Sequence, residues 1–383
     1  MASNPQSDQF LPINPAIVTW ARNRAGYSID EASKYFKNID LWEQGKEMPT
    51  YPQLEAMAEK LKCPIAVFFF PEPPELPSAQ QTFRTLPADD FEQIPRTVRA
   101  FLRKGQAMQL NLSELNDGKN PARRLIVRDL RVSPDEGVSS IAKRLREYLG
   151  ITLDAQRAWS DVEAALEEWR NALADAGVFV FKDAFHASGY FGFCLYDDEF
   201  PIIYINNTST KTRQIFTLFH ELAHLLFHTS GIDIEDDYYI EHLRGDDRKI
   251  EVICNALAAQ FLVPVDDLAQ QLKTRKPDRA AAAVLADRYK VSREVVYRQF
   301  LERRLISAEE YENAAREWTA QIKKEKGGGN YYFNQFAYLG DRYIDLAFSR
   351  FRQGRFGEDR LANFLNIKPK NVAAFELTYE ALR

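Results

Sequence analysis

Gln214-Ile-Phe-Thr-Leu-Phe-His-Glu-Leu-Ala-His-Leu-Leu-Phe-His228 is the stretch whose reading settles the rest. Its apolar residues recur at helical spacing and neither Gly nor Pro interrupts them, so it reads as a buried helix. Inside it, His220, Glu221 and His224 spell H-E-x-x-H. Positions i and i+4 lie on one face of a helix. Two imidazoles there can bind one Zn2+, with Glu221 placed beside the metal to hold a water. Four of the five histidines fall between positions 220 and 242, and the fifth is His186.

A short motif can also arise in an ordinary core helix, so a third ligand is the natural test. The metzincin extension needs His at position 230, which is Ser230. A second apolar stretch, Lys249-Ile-Glu-Val-Ile-Cys-Asn-Ala-Leu-Ala-Ala-Gln-Phe-Leu-Val-Pro264, offers an acid instead. Glu251 stands near its start. Two His and one Glu with an open fourth position are the layout of a zinc peptidase.

H-E-L-A-H-L-L-F-H followed by E-x-x-C-N-x-L-A-A-x-F-L-V-P resembles the ImmA/IrrE family of metallo-endopeptidases. The resemblance implies that Glu251 is the third zinc ligand. It extends to strands over residues 178–182 and 201–206, and to a linker at Phe83-Arg-Thr-Leu-Pro87. It covers roughly residues 15–325 and is strongest across 160–265. The implied fold is α+β and mostly helical: a zincin-like domain with a small antiparallel or mixed sheet, flanked by helix-turn-helix-like domains. The implied substrate is narrow, a regulator protein encoded nearby, often an Xre-type repressor. The settings are stress response, mobile elements or toxin–antitoxin operons.

Composition sets bounds on this. A chain of 383 residues suggests about two to four domains. Hydrophobic content of 45% and charged content of 27% are ordinary for a globular protein. A net charge of −5 argues against a strongly basic nucleic-acid binder. Cys63, Cys194 and Cys254 are odd in number and form no C-x-x-C pair, which fits a reducing cytosol. The first ten residues lack a signal-peptide pattern, and no apolar run is long enough to span a membrane. The expectation is therefore cytoplasmic.

In chain order, residues 1–75 read as short helices. Ser28 and Glu31 form a capping box. Leu41-Trp-Glu-Gln-Gly-Lys-Glu-Met-Pro49 resembles the turn of Xre-type helix-turn-helix domains. Residues 1–70 carry seven Lys or Arg against eight Asp or Glu, a net of −1, and the recognition region looks about four residues short. That favours a degenerate module over a DNA reader. Residues 76–130 form a linker and a connecting helix over 91–115. The peptidase domain spans 131–275, with helices over 133–149 and 154–176 and strands over 178–182, 191–196 and 201–206. Residues 276–325 form a second helix-turn-helix-like unit, with Arg288, Lys290, Arg293, Arg298, Arg303 and Arg304 giving a basic look. Residues 330–383 form a last helical unit, with a helix over 338–351 and a basic cluster at Arg350, Arg352 and Arg355.

Around the motif, Asp233, Glu235, Asp236 and Asp237 read as a solvated loop. His228 lies one turn beyond His224 and is expected to pack rather than ligate. Cys254 is expected to be a buried structural thiol. His242, Tyr238 and Tyr239 are candidates for donating a proton or hydrogen bond to a developing oxyanion. The competing reading is non-enzymatic: a transcription regulator or antitoxin that binds a partner protein or DNA through a vestigial peptidase fold.

Overall fold

The computed structural model describes residues 11–61, 63, 65–73, 94–234, 245–321 and 330–382. They fall into two compact units, residues 11–73 with 94–100, and residues 101–382.

The first unit holds α1 (Pro15–Arg24), α2 (Ile29–Ser33), α3 (Ile39–Glu43) and α4 (Tyr51–Leu61), then a 3-10 turn at Ile65–Phe69. Both halves of the capping box form: Ser28 Oγ accepts from the Glu31 N–H at 3.2 Å, and Glu31 Oε2 accepts from the Ser28 N–H at 2.9 Å. Ile17, Val18, Trp42, Leu54, Met57 and Phe68 make the core. α2 and α3 have five residues each, in keeping with the short region between Ser28 and Trp42. Basic side chains are committed within the unit: Arg22 to Glu43, Arg96 to Glu31, and Lys60 over the Tyr35 ring.

The second unit is built on a four-stranded sheet: β1 (Phe179–Asp183), β2 (Tyr190–Leu195), β3 (Ile202–Asn206) and β4 (Ile232–Ile234), in the order β1-β3-β2-β4. β1 and β3 run parallel, and β2 is antiparallel to β3 and β4. Side chains alternate between two faces. One face is aromatic: Phe193 stacks on Tyr204 at 5.1 Å, and Phe181 and Phe185 lie beside Tyr204. Residues 101–115 of α5 (Arg96–Leu115) cover it. Phe101 stacks on Phe185, and Gly105 allows close approach, because a Cβ there would stand 2.8 Å from the Phe193 ring.

The other face carries Val180, Cys194, Ile203 and Ile205 into the main core. Here lie α6 (Ile126–Asp129), α7 (Val138–Leu149), α8 (Leu153–Ala158), α9 (Val162–Asp175), α10 (Lys211–Leu226) and α11 (Gly245–Leu262). Trp169 of α9, Phe219 of α10 and Phe261 of α11 meet with centroids 4.3–5.3 Å apart. The same core continues into α12 (Val265–Leu272), α13 (Arg279–Tyr289), α14 (Arg293–Glu302) and α15 (Ala308–Gln321). The C-terminal helices are α16 (Tyr331–Leu339), α17 (Asp341–Arg352), α18 (Glu358–Phe364) and α19 (Val372–Glu380).

Several boundaries differ from the sequence reading. The helix expected over 154–176 is two, because the chain turns at Trp159–Asp161 and Asp161 caps α9 by accepting from the Ala164 N–H. The helix expected over 338–351 is broken by Gly340, whose φ of +80° and ψ of 147° no helix adopts. The polar stretch after His228 contains β4. Leu268 of α12, near the end of the domain read as 131–275, is fully buried in the main core.

Part of each basic cluster is tied to partners within the unit, while Arg288, Arg298 and Arg304 stay exposed. Lys290 is buried, Arg303 donates to the Val265 carbonyl, and Arg293 donates to Gln321. Arg350 and Arg355 donate to the Leu115 carbonyl at 3.0 and 3.3 Å, capping the C-terminal end of α5, while Arg352 reaches Glu376 and Glu380. Among the described residues no single helix is long and apolar enough to cross a membrane. α11 and α12 reach that length only together, bent by 54°, and their Leu257, Phe261 and Leu268 lie in the core.

Candidate metal centre

α10 starts at Thr210, whose hydroxyl accepts from the Arg213 N–H, and every residue from Thr217 to Leu226 is buried. It ends where His228 takes a left-handed φ of +58° and the Thr229 N–H returns to the His224 carbonyl at 3.0 Å. α11 packs against α10 and brings Glu251 to the imidazoles. His220 Nε2 and His224 Nε2 are 3.2 Å apart. Glu251 Oε2 stands 3.4 Å from the first, and its Oε1 stands 3.2 Å from the second. Ligand atoms around a tetrahedral zinc ion with bonds of about 2.0–2.1 Å lie about 3.3 Å apart. The three groups therefore fit one such ion.

Neighbouring side chains fix the imidazole tautomers. His220 Nδ1 lies 3.0 Å from Asn255 Oδ1, which can only accept. His224 Nδ1 lies 3.3 Å from the Thr229 hydroxyl, whose own proton goes to the His224 carbonyl at 3.0 Å. In the neutral imidazoles both Nδ1 atoms thus carry the proton, which leaves both Nε2 lone pairs turned toward the Glu251 carboxylate. Three electron-rich atoms converging in a buried space are a site built for a cation. The electrostatics agree. Burial pulls both imidazoles down, yet Glu251 helps to raise His220, and Cys254 and Glu251 hold His224 well above its usual range. Burial pushes Glu251 up, but His224 and His220 hold it well below the carboxylate range.

Glu221 is fully buried one residue along α10; its carboxylate faces the buried Cys194 thiol and has no hydrogen-bond partner closer than that weak donor among the described residues. Burial lifts its pKa to about 7, against the lowering by His220 and His224. A carboxyl poised there can take up and release a proton near neutrality.

His228 is turned to other work: Nε2 lies 3.1 Å from the Val127 carbonyl, and the ring stacks on Tyr196. Cys254 is fully buried. Asp233 corrects the sequence reading. It is 4% exposed in β4 and accepts from Arg213 and Thr217, so it is no solvated loop residue. His242, Tyr238 and Tyr239 lie outside the described residues, as do Glu235, Asp236, Asp237 and Phe83–Pro87. Thr229 and Asn255 were not singled out from sequence. Asn255 was within reach, four residues beyond Glu251 and so on the same helix face.

Fold and donor set together define a zincin-like domain with a His-His-Glu group able to hold a metal ion. Residues 173–301 match the family model described as the IrrE N-terminal-like domain of Peptidase_M78. The chain is 38% identical over 100 residues to the radiation response metalloprotease IrrE of Deinococcus radiodurans, covering 25% of this chain and 30% of that protein. It is 37% identical over 99 residues to the protein of the same name from Deinococcus deserti, covering 25% and 34%. The match spans about a third of the length of these curated relatives.

Proposed function

We propose that the chain is a zinc-dependent endopeptidase acting in the cytoplasm on a specific regulator protein, such as an Xre-type repressor. The observation that carries the reading is the convergence of His220 Nε2, His224 Nε2 and Glu251 within 3.4 Å of one another, with the buried Glu221 carboxylate beside them. His220, His224 and Glu251 hold the ion. When bound, zinc supplies Lewis acidity, polarising the scissile carbonyl and acidifying a water. Glu221 takes the water proton and delivers it to the leaving amine, and its apolar burial keeps the carboxyl competent for both transfers. Asn255 and Thr229 keep the imidazole lone pairs aimed inward.

The narrow protein substrate comes from the family resemblance. The radiation response in the names of the Deinococcus relatives supports a stress-response setting. The net charge of −5 and the pairing of Arg22 and Arg96 with acids in the first unit support a protein partner over DNA.

Glu221→Gln tests the reading. The amide keeps shape and hydrogen bonding but cannot take a proton. Zinc content should stay at one per chain while cleavage of the neighbouring regulator falls by about 10²–10⁴-fold. Wild-type cleavage in a zinc-replete Glu221→Gln protein would move the assignment to the non-enzymatic alternative.

A further inference from the structure

We infer that Asp233 is a positioning residue that locks the register of β4 to the metal-bearing helix, and so sets which peptide bond of an extended substrate meets Glu221. The inference rests on the peptidase reading. β4 is three residues long, ends the sheet, and pairs with β2 across a register shift between Tyr190 and Gly192. So short an edge strand has little ladder of its own to fix its register, and a one-residue slip would exchange its two faces.

Side chains supply what the ladder lacks. Thr217 Oγ1 donates to Asp233 Oδ2 at 2.6 Å, and Arg213 Nη2 donates to Oδ1 at 2.7 Å, so each carboxylate oxygen is used. Both donors are on α10. Thr217 lies one turn before Glu221 on the same face. Asp233 pairs in register with Gly192, and a Cβ at Gly192 would stand 2.5 Å from Thr217 Cγ2. Gly192, Thr217 and Asp233 therefore interlock, with no room for a slipped strand. A second contact repeats the link. A Cβ at Gly231 would stand 2.6–2.9 Å from the His224 ring, so the start of the strand lies flat on a ligand imidazole.

Among the described residues the outer edge of β4 has no strand partner. An extended peptide adding there reads its alignment from β4. β4 takes its own alignment, through Asp233 and Thr217, from the helix that carries His220, Glu221 and His224.

The test uses the zinc-loaded full chain, the variants Thr217→Val, Thr217→Ser and Asp233→Ala, and a mixed-sequence library of unstructured decapeptides with cut bonds mapped by mass spectrometry. The expected result is unchanged zinc content and cuts spread over neighbouring bonds in Thr217→Val and Asp233→Ala. On the best single peptide, kcat/KM falls by about 10²-fold, and Thr217→Ser restores the single cut. One cut position and wild-type kcat/KM in a zinc-replete Thr217→Val protein would overturn the inference. If wild type cuts neither the library nor the neighbouring regulator, the peptidase reading fails, and the lock is judged by amide hydrogen exchange over residues 231–234. Faster exchange in Thr217→Val, reversed in Thr217→Ser, supports it; unchanged exchange overturns it.

Discussion

Thr229 grips His224 at two points: its hydroxyl donates to the His224 carbonyl at 3.0 Å and lies 3.3 Å from Nδ1 of the same imidazole. The first bond closes the end of α10, and the second sets the tautomer. Thr229→Val keeps the shape and removes both. Zinc affinity, read by competition with a chromogenic chelator, should fall by about 10–100-fold with the fold intact. Thr229→Ser should recover most of the loss. Equal affinity in Thr229→Val and wild type would mean that the backbone alone orients the ring.

Glu251→Ala removes the charged member of the ligand set and leaves two imidazoles 3.2 Å apart. Metal analysis after dialysis should show loss of most of the zinc, while the α10–α11 packing around Phe219 and Phe261 survives. Full stoichiometry in this variant would displace Glu251 from the set.

Lys182 predicts a pH dependence of stability remote from the metal. It is 2% exposed on β1, 3.0 Å from Glu167. Burial, then the Arg170 charge, lowers its pKa to about 7, with Glu167 pulling the other way. The unfolded chain holds this proton up to about pH 10.4, so between about pH 7 and that point folding releases it. Stability therefore rises with pH across this window, by up to ~1.4 kcal/mol per unit from this group. Lys182→Met should remove that slope. Glu167 tolerates the change because its side chain is 53% exposed and keeps Arg170 at 2.9 Å. Urea unfolding at pH 7 and pH 9.5 should show Lys182→Met gaining on wild type at the lower pH. Parallel pH profiles would count against it.

Gly340 occupies a backbone region open almost only to glycine, at φ +80° and ψ 147°. A Cβ there would also stand 2.7 Å from Arg170 Nη2. Gly340→Ala should cost about 1–3 kcal/mol in denaturant unfolding, with zinc content unchanged. A cost near zero would show that the α16–α17 junction relaxes freely.

The meeting of His220, His224 and Glu251 was legible because its cues are local: His220 and His224 share one helix turn, and Glu251 stands in an apolar helix of its own. Three strands were legible from their β-branched and aromatic runs. β4 was not, because Ile232-Asp-Ile234 carries a carboxylate whose partners, Arg213 and Thr217, lie a helix away. A buried acid looks like a solvated one until its donors are placed. The same holds for Arg350 and Arg355, whose acceptor at Leu115 is remote in sequence. The break at Gly340 went unread because the apolar spacing continues through it, and only the close approach of Arg170 shows why glycine is needed.

The aromatic face of the sheet has a consequence for the order in which the protein is made. Phe181 of β1 meets Tyr343 of α17 edge-on at 5.2 Å, and Arg170 reaches past Gly340 to the Ala337 carbonyl. All four strands leave the ribosome before either partner in residues 337–343 exists. A nascent chain halted after Ile234 thus has its strands but not the side chains that finish β1. The packing around β1 is completed late in synthesis, after the segment that carries His220, His224 and Glu251.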